Sequence, residues 1–223
     1  LRGLVYREFL PGIHSRDFSY QYPDPVVCVL DPHTRKPHWV IWAYVNRMDQ
    51  LFIDRELIFE GTLRELAKTI ILTEQKAGYH LRLRLIDPNY GRTPMIVTGR
   101  TVIEELAQKP FPVRFTEAND AVEAGILKVK TLLHFNKEQP ISLTNMPGLY
   151  FHRDRASRTI HSLRNLQHEE WKGKARGEKD PKETIRNKDD DGADCLRYLC
   201  MQNLNFDRLL AKMNQHELQE AAY

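Results

Sequence analysis

Acidic side chains gather at three places in this 223-residue chain. The stretch "NKDDDGADCLRYLC" at 187–200 sets Asp189, Asp190, Asp191 and Asp194 within six positions, just ahead of an apolar pattern with helical spacing. The other two places are single dipeptides: Asp31-Pro32 stops the apolar run "VVCVL", and Asp87-Pro88 stops "HLRLRLI". Acids near a helix N-terminus suit the helix dipole, which by itself accounts for Asp189 and Asp190. It does not account for carboxylates at the ends of two strands, where an unpaired charge is costly to bury. A divalent cation accounts for all three groups. Oxygen ligands without the Cys and His spacing of a zinc site favour Mg²⁺ or Mn²⁺. Two such ions about 4 Å apart activate a water and stabilise the leaving oxygen of an in-line phosphoryl displacement.

The elements that must carry these acids follow from pattern. Residues 4–9 alternate as a strand, and a long connection rich in Pro and aromatic residues follows. Val26 to Leu30 is an unbroken apolar run, as expected of a strand covered on both faces. Segments 38–45 and 51–58 are two further strands; the short turn Asn46 to Gln50 makes the three consecutive and antiparallel. Thr62 with Glu65 forms a capping box for a helix that ends near Gly78. Leu81, Leu83 and Leu85 then mark a strand ending at Asp87. Helical spacing recurs in 100–109 and 119–135, with "FPVRF" at 111–115 a short strand between them. Residues 154–171 form a basic amphipathic helix, 172–188 a polar loop or exposed hairpin, and 206–221 a terminal helix. Proline cannot donate to a ladder, so each Asp-Pro step belongs at a sheet rim. Asp191 and Asp194, three apart, share one side of the last core helix, which turns Leu196 and Leu199 inward. Trp39, Trp42 and Tyr44 fit core and sheet-face packing rather than a platform for bases.

Composition narrows the class. With 41% hydrophobic and 28% charged residues, the chain suits one globular domain. No run reaches the roughly 20 apolar residues of a membrane span, and the N-terminus lacks a signal-peptide core. Cys28, Cys195 and Cys200 lack zinc spacing and fit buried small hydrophobes. These features point to an intracellular protein. The net charge is only +3, yet residues 153–188 carry eleven Lys and Arg against six Asp and Glu. Basic charge beside an acidic cluster is what an enzyme acting on a polyanion needs.

The motifs "GLVYREF" at 3–9, "VVCVLDPH" at 26–33, "LRLIDPNYG" at 83–91 and "DDDGADCLRYL" at 189–199 carry a resemblance. Together they resemble the ribonuclease H-like nuclease domain of the large terminase subunit of tailed bacteriophages, with Cys195 in place of the usual Ala. The resemblance spans nearly the whole chain. It implies an α/β fold, a mixed sheet of three antiparallel strands followed by parallel strands and flanked by helices. It also implies a single nuclease domain over 1–223, with its core at about 1–202 and a helical extension at about 203–223. The implied activity is a Mg²⁺- or Mn²⁺-dependent endonuclease that cuts double-stranded DNA during viral genome packaging, in the cytoplasm of the infected bacterial host. Carried over by position, Asp31 bridges two metals, Asp87 binds one, and Asp194 with Asp191 completes the cluster.

No G-x-x-x-x-G-K-[ST] segment is present, and the chain does not open on Met, as expected of an excised domain whose ATPase motor lies upstream. Cleavage without ATP use is therefore expected. The small terminase subunit and the portal are the further partners the resemblance implies. DNA contact falls to Arg35 and Lys36 after the first Asp, Arg92 after the second, and Lys172, Lys174, Arg176, Lys179 and Lys182 before the third group. Phosphate contacts of this kind position DNA without reading its sequence. His33, His38 and His152 are read as surface or structural residues, with His33 the one to consider near the metals. Other readings are a junction resolvase, an integrase-like transferase or an exonuclease on the same fold, and a non-catalytic DNA-clamping or portal-docking module whose acids are helix caps.

Overall fold

The computed structural model describes residues 3–169, 185 and 190–211. After a short helix α1 (Pro11–His14) and strand β1 (Ser15–Arg16) come β2 (Pro25–Asp31), β3 (His38–Val45), β4 (Leu51–Phe59), α2 (Leu63–Ala77), β5 (His80–Ile86) and α3 (Pro88–Gly91). The chain continues through α4 (Val102–Leu106), β6 (Thr116–Glu117), α5 (Val122–Leu133), β7 (Leu149–His152), α6 (Ser157–Asn165) and α7 (Asp191–Cys200). Residues 206–211 are again helical.

One seven-stranded sheet runs in the order β1-β7-β4-β3-β2-β5-β6. β2, β3 and β4 pair antiparallel as expected, while β2 with β5, β5 with β6, β4 with β7 and β1 with β7 pair parallel. This is the mixed sheet of a ribonuclease H-type nuclease fold. Both faces are covered, which is why every residue of β2 is buried. On one face Val27, Val29 and Leu85 pack against α5, α6 and α7; on the other Val26, Cys28, Leu30 and Trp42 pack against α2 and α4. Trp42 and Tyr44 thus sit in one core while Trp39 packs against the other, consistent with the packing role read for them. All three cysteines are free and buried.

The period-2 alternation of β2 and β5 fixes the acids. Asp31 shares the face of Val27 and Val29, and Asp87 that of Leu85, so both carboxylates face the α7 side at neighbouring positions of one rim. The Asp87 N–H extends the ladder by donating to Leu30 O at 3.1 Å. Helix α2 opens on the Thr62–Glu65 capping box and closes at Gly78, whose φ of 64° puts it in the left-handed region that favours glycine.

Several elements depart from the sequence reading. Residues 4–9 form no strand. Leu4 makes an isolated bridge to Gln167, and the Val5 N–H donates to Leu166 O, so the apolar pattern reflects coil packed on the core. Residues 111–115 form no strand; the strand is β6, after them, while Val113 and Phe115 fill the core on the α2 side. Helix α6 stops at Asn165, because Gln167 and His168 pair with Leu4 and Ile185 in isolated bridges. The rest of 172–188, and 212–221 of the terminal helix, lie outside the described residues. Among the described residues, no helix is long and apolar enough to cross a membrane.

Candidate metal centre

The rim where β2 and β5 end meets the first turn of α7, and the two are locked together from behind. Glu56 of β4 accepts from the N–H groups of Arg158 and Thr159 (2.8 and 2.6 Å) and from Thr159 Oγ1 at 2.7 Å, which satisfies the first turn of α6. Thr159 Oγ1 in turn accepts from Trp39 Nε1 at 3.3 Å. From α6, Ser162 Oγ accepts the Ala193 N–H at 3.2 Å. Gly192 closes the contact. A Cβ there would lie 3.1 Å from Thr159 Cα and from Trp39 Cζ2, so glycine lets α7 approach the sheet and bring Asp191 to the rim.

Asp31, His33 and Asp191 can each offer an atom such that all three lie within 4.8 Å of one another. His33 Nε2 stands 3.4 Å from Asp31 Oδ2 and 3.1 Å from Asp191 Oδ1, close enough for strong attraction though not aligned as a hydrogen bond. Lys36 Nζ also donates to Asp191 Oδ1. Burial lifts the Asp31 carboxyl above the ordinary aspartate range, and the Asp191 and Asp87 charges push the same way against His33. Burial also works upward on Asp191, but the His33 and Lys36 contacts outweigh it and hold that carboxyl below the usual range. For His33 burial works downward, and attraction to Asp191 and Asp31 overcomes it, raising the imidazole to about 9.

The other two acids are engaged elsewhere. Asp87 caps α3, accepting from the N–H groups of Asn89 (3.2 Å) and Tyr90 (3.1 Å), and takes the Tyr198 hydroxyl at 3.1 Å. Asp194 pairs with Arg197 (2.7 Å to Nη2, 3.2 Å to Nε). Burial, opposed by Arg197 and reinforced by the Asp190 and Asp31 charges, raises its carboxyl to about 6. Asp190 occupies the position ahead of α7 without a side-chain cap bond.

Two carboxylates and an imidazole, crowded enough to shift their own proton affinities, fit a divalent cation with oxygen and nitrogen ligands. His33 and Lys36 neutralise these acids as that cation would. Asp87 stands beside Asp31 on the same rim, with its oxygens turned to Tyr198 and to backbone donors.

Of the basic residues read as DNA contacts, Arg35 is exposed and has no ion pair among the described residues, Lys36 rests on Asp191, and Arg92 is held by Glu117 (Nε to Oε1, 2.7 Å). Lys172, Lys174, Arg176, Lys179 and Lys182 lie outside the described residues. His38 and His152 are buried and accept backbone N–H groups, from His33 and from Asp154 and Arg155, a structural role. Sequence reasoning missed the Asp194–Arg197 pair, although its i,i+3 spacing signals it, and the Tyr198–Asp87 bond, which only the packing of α7 against β5 reveals.

No family model matches the sequence, and no curated protein matches it. Solved structures do. The large terminase of a thermophilic bacteriophage superposes with a TM-score of 0.64 at 18% identity, covering 89% of this chain and 44% of that one. The nuclease domain of the P22 large terminase gives a TM-score of 0.63 at 15% identity, covering 90% and 92% of the two chains. The nuclease domain of the SPP1 large terminase g2p, solved with bound Mn, gives 0.56 at 16% identity, with 81% and 88% covered. This chain thus spans less than half of the thermophilic phage protein and nearly all of the P22 domain. Its fold is that of the nuclease domains of bacteriophage large terminases.

Proposed function

We propose that this chain is a single nuclease domain that cleaves double-stranded DNA by metal-dependent phosphodiester hydrolysis during viral genome packaging. The observation that carries this reading is the convergence of Asp31, His33 and Asp191 at one rim of a terminase-type nuclease fold, with Asp87 beside Asp31. Asp31, His33 and Asp191 would hold one Mg²⁺ or Mn²⁺. Asp31 and Asp87 would hold a second, with Asp194 completing the cluster once Tyr198 and Arg197 release the carboxylates. Bound there, such ions supply charge stabilisation to the phosphate and acidify a water. The protein's own part is positional. Glu56, Ser162 and Gly192 fix the α7 turn, and Arg35 and Lys36 bring positive charge to the same edge for the DNA backbone.

The chain spans 44% of the thermophilic phage's large terminase, so partnership with an ATPase motor, a small terminase subunit and a portal in the host cytoplasm is proposed for the whole protein only. The saturation of Asp87 and Asp194 favours a second reading, a DNA-clamping module whose acids are structural. Incubating the protein with supercoiled plasmid and Mg²⁺, Mn²⁺ or chelator, beside Asp31→Ala, separates the two. Metal-dependent nicking lost in the variant is expected. DNA binding without cleavage under either metal would give the clamping module the stronger case.

A further inference from the structure

Beyond the metal centre, a concave cleft of about 260 Å³ lies where α2 packs against α4. Arg64, from the first turn of α2, lines it with Arg100 and Lys109, which flank α4, and Glu105 is the sole acid among the described residues that line it. Lys68 stands over the ring of Phe111, another wall residue, at 5.8 Å. Arg100 is shared loosely with Glu105 at 3.6 Å, whereas Arg64 and Lys109 have no ion pair among the described residues. Two neighbouring acids, Glu65 and Glu104, are turned onto their own helix caps, each accepting a threonine N–H (2.9 and 2.8 Å). The cleft therefore concentrates positive charge that the described residues leave uncompensated.

Beside it stands a small hairpin closed by the Pro94–Thr101 bridge and by the Met95 N–H donating to Arg100 O at 2.7 Å. Its tip holds Ile96 and Val97, 102% and 92% exposed. Two adjacent, almost fully exposed aliphatic residues within four residues of a cleft arginine are an apolar tip open to a partner.

One stretch of chain and one cleft tie this surface to the candidate metal centre. The segment from Asp87 runs through α3 into the hairpin, and an open cleft of about 340 Å³ lined by His33, Arg35, Lys36 and Gly61 leads from the metal centre to the start of α2.

We propose that the Arg64–Arg100–Lys109 cleft and the Ile96–Val97 tip form a second holding site for duplex DNA, taking backbone phosphates in the cleft and laying the tip against a groove. This rests on the DNA-cleaving reading for its partner but not on catalysis. Exposed cations that take phosphates release counterions, whereas an apolar tip does not.

The test is binding of a labelled short duplex in chelator, titrated over salt, for the parent, Arg64→Ala/Lys109→Ala and Ile96→Ser/Val97→Ser. All four residues are exposed, so folding is not at stake. The cleft variant is expected to bind at least ~10-fold more weakly at 0.1 M salt, with its log K against log salt slope reduced by about 1.8. The tip variant is expected to weaken binding at unchanged slope. Equal affinity and slope for parent and cleft variant, or no binding by the parent, overturns the site; an unaltered tip variant removes the hairpin from it. Because cleavage is absent from the readout, a parent that binds with the expected slopes yet never nicks plasmid would sink the catalytic reading and leave the cleft standing.

Discussion

Asp31 on β2 and Asp54 on β4 are 4% and 3% exposed, nearly the same burial in one sheet. Their surroundings are opposite. Asp54 is the extra residue of the bulge between Ile53 and Arg55. Its carboxylate accepts from the Tyr79 hydroxyl and the Arg155 guanidinium, Arg55 Nε stands 3.8 Å away, and Arg155 Nε also donates to its backbone carbonyl at 3.1 Å. Asp31 has His33 at 3.4 Å and like charges behind it. Burial therefore does not separate these two acids, whereas the supply of donors does. The donors around Asp54 stabilise the fold, and on the proposed reading the short supply at Asp31 leaves its charge for a cation to balance.

The sharpest way to break this contrast is to neutralise each acid. Asp31→Asn should lower plasmid cleavage by more than the ~100-fold typical of outer ligand partners, without lowering the thermal stability of the metal-free protein. Asp54→Asn should do the reverse, losing about 2–3 kcal/mol in chemical denaturation because Arg155 is left with a weaker partner, while cleavage per folded molecule is kept. Loss of stability in the first variant, or of metal response in the second, would erase the distinction.

Metal linkage gives an effect of comparable size. At 100 times its Kd, Mn²⁺ should stabilise the parent and Asp54→Asn by about 2.7 kcal/mol, and Asp31→Asn far less, as read by melting with and without chelator.

Gly192→Ala tests the support behind the rim. A methyl group 3.1 Å from two fixed atoms should cost about 1–3 kcal/mol and weaken Mn²⁺ binding along with stability. Stability lost with metal affinity unchanged would show that the α6–α7 contact does not position Asp191.

The smallest effect is a drift with pH. Asp194 is raised from 3.8 to about 6, so the folded protein holds that proton more tightly than the unfolded chain; its contribution is present below pH 3.8 and lost as pH rises through about 6. His33 is raised from 6.5 to about 9, giving stability that is present below pH 6.5 and lost as pH rises through about 9. Metal-free denaturation between pH 4 and 10 should show both declines, the upper one moved to lower pH in Asp31→Asn, where His33 loses an anionic neighbour.

What could be read from sequence was what is written locally. The β2 run, the two Asp-Pro stops, the Thr62–Glu65 box and the α7 pattern each occupy a few neighbouring residues, and each stands where expected. Strands β1 and β7, of two and four residues, are too short to show a period, and residues 4–9 show one for a different reason. The site was partly legible. The positions of Asp31 and Asp87 at strand ends and of Asp191 and Asp194 on one helix start follow from pattern, but the loop geometry that returns His33 and Lys36 to Asp191 does not. Asp87 ahead of Pro88 also matches a helix N-cap, which is the use the structure makes of it.

The separation of the cluster along the chain has a consequence for synthesis. Lys36 and Asp191 touch across 155 residues. At a ribosomal pace of 5–20 residues per second, Asp31 and His33 emerge roughly 8–30 s before α7. On the proposed reading, the ligand set of a nascent chain therefore stays incomplete until α7 has been made.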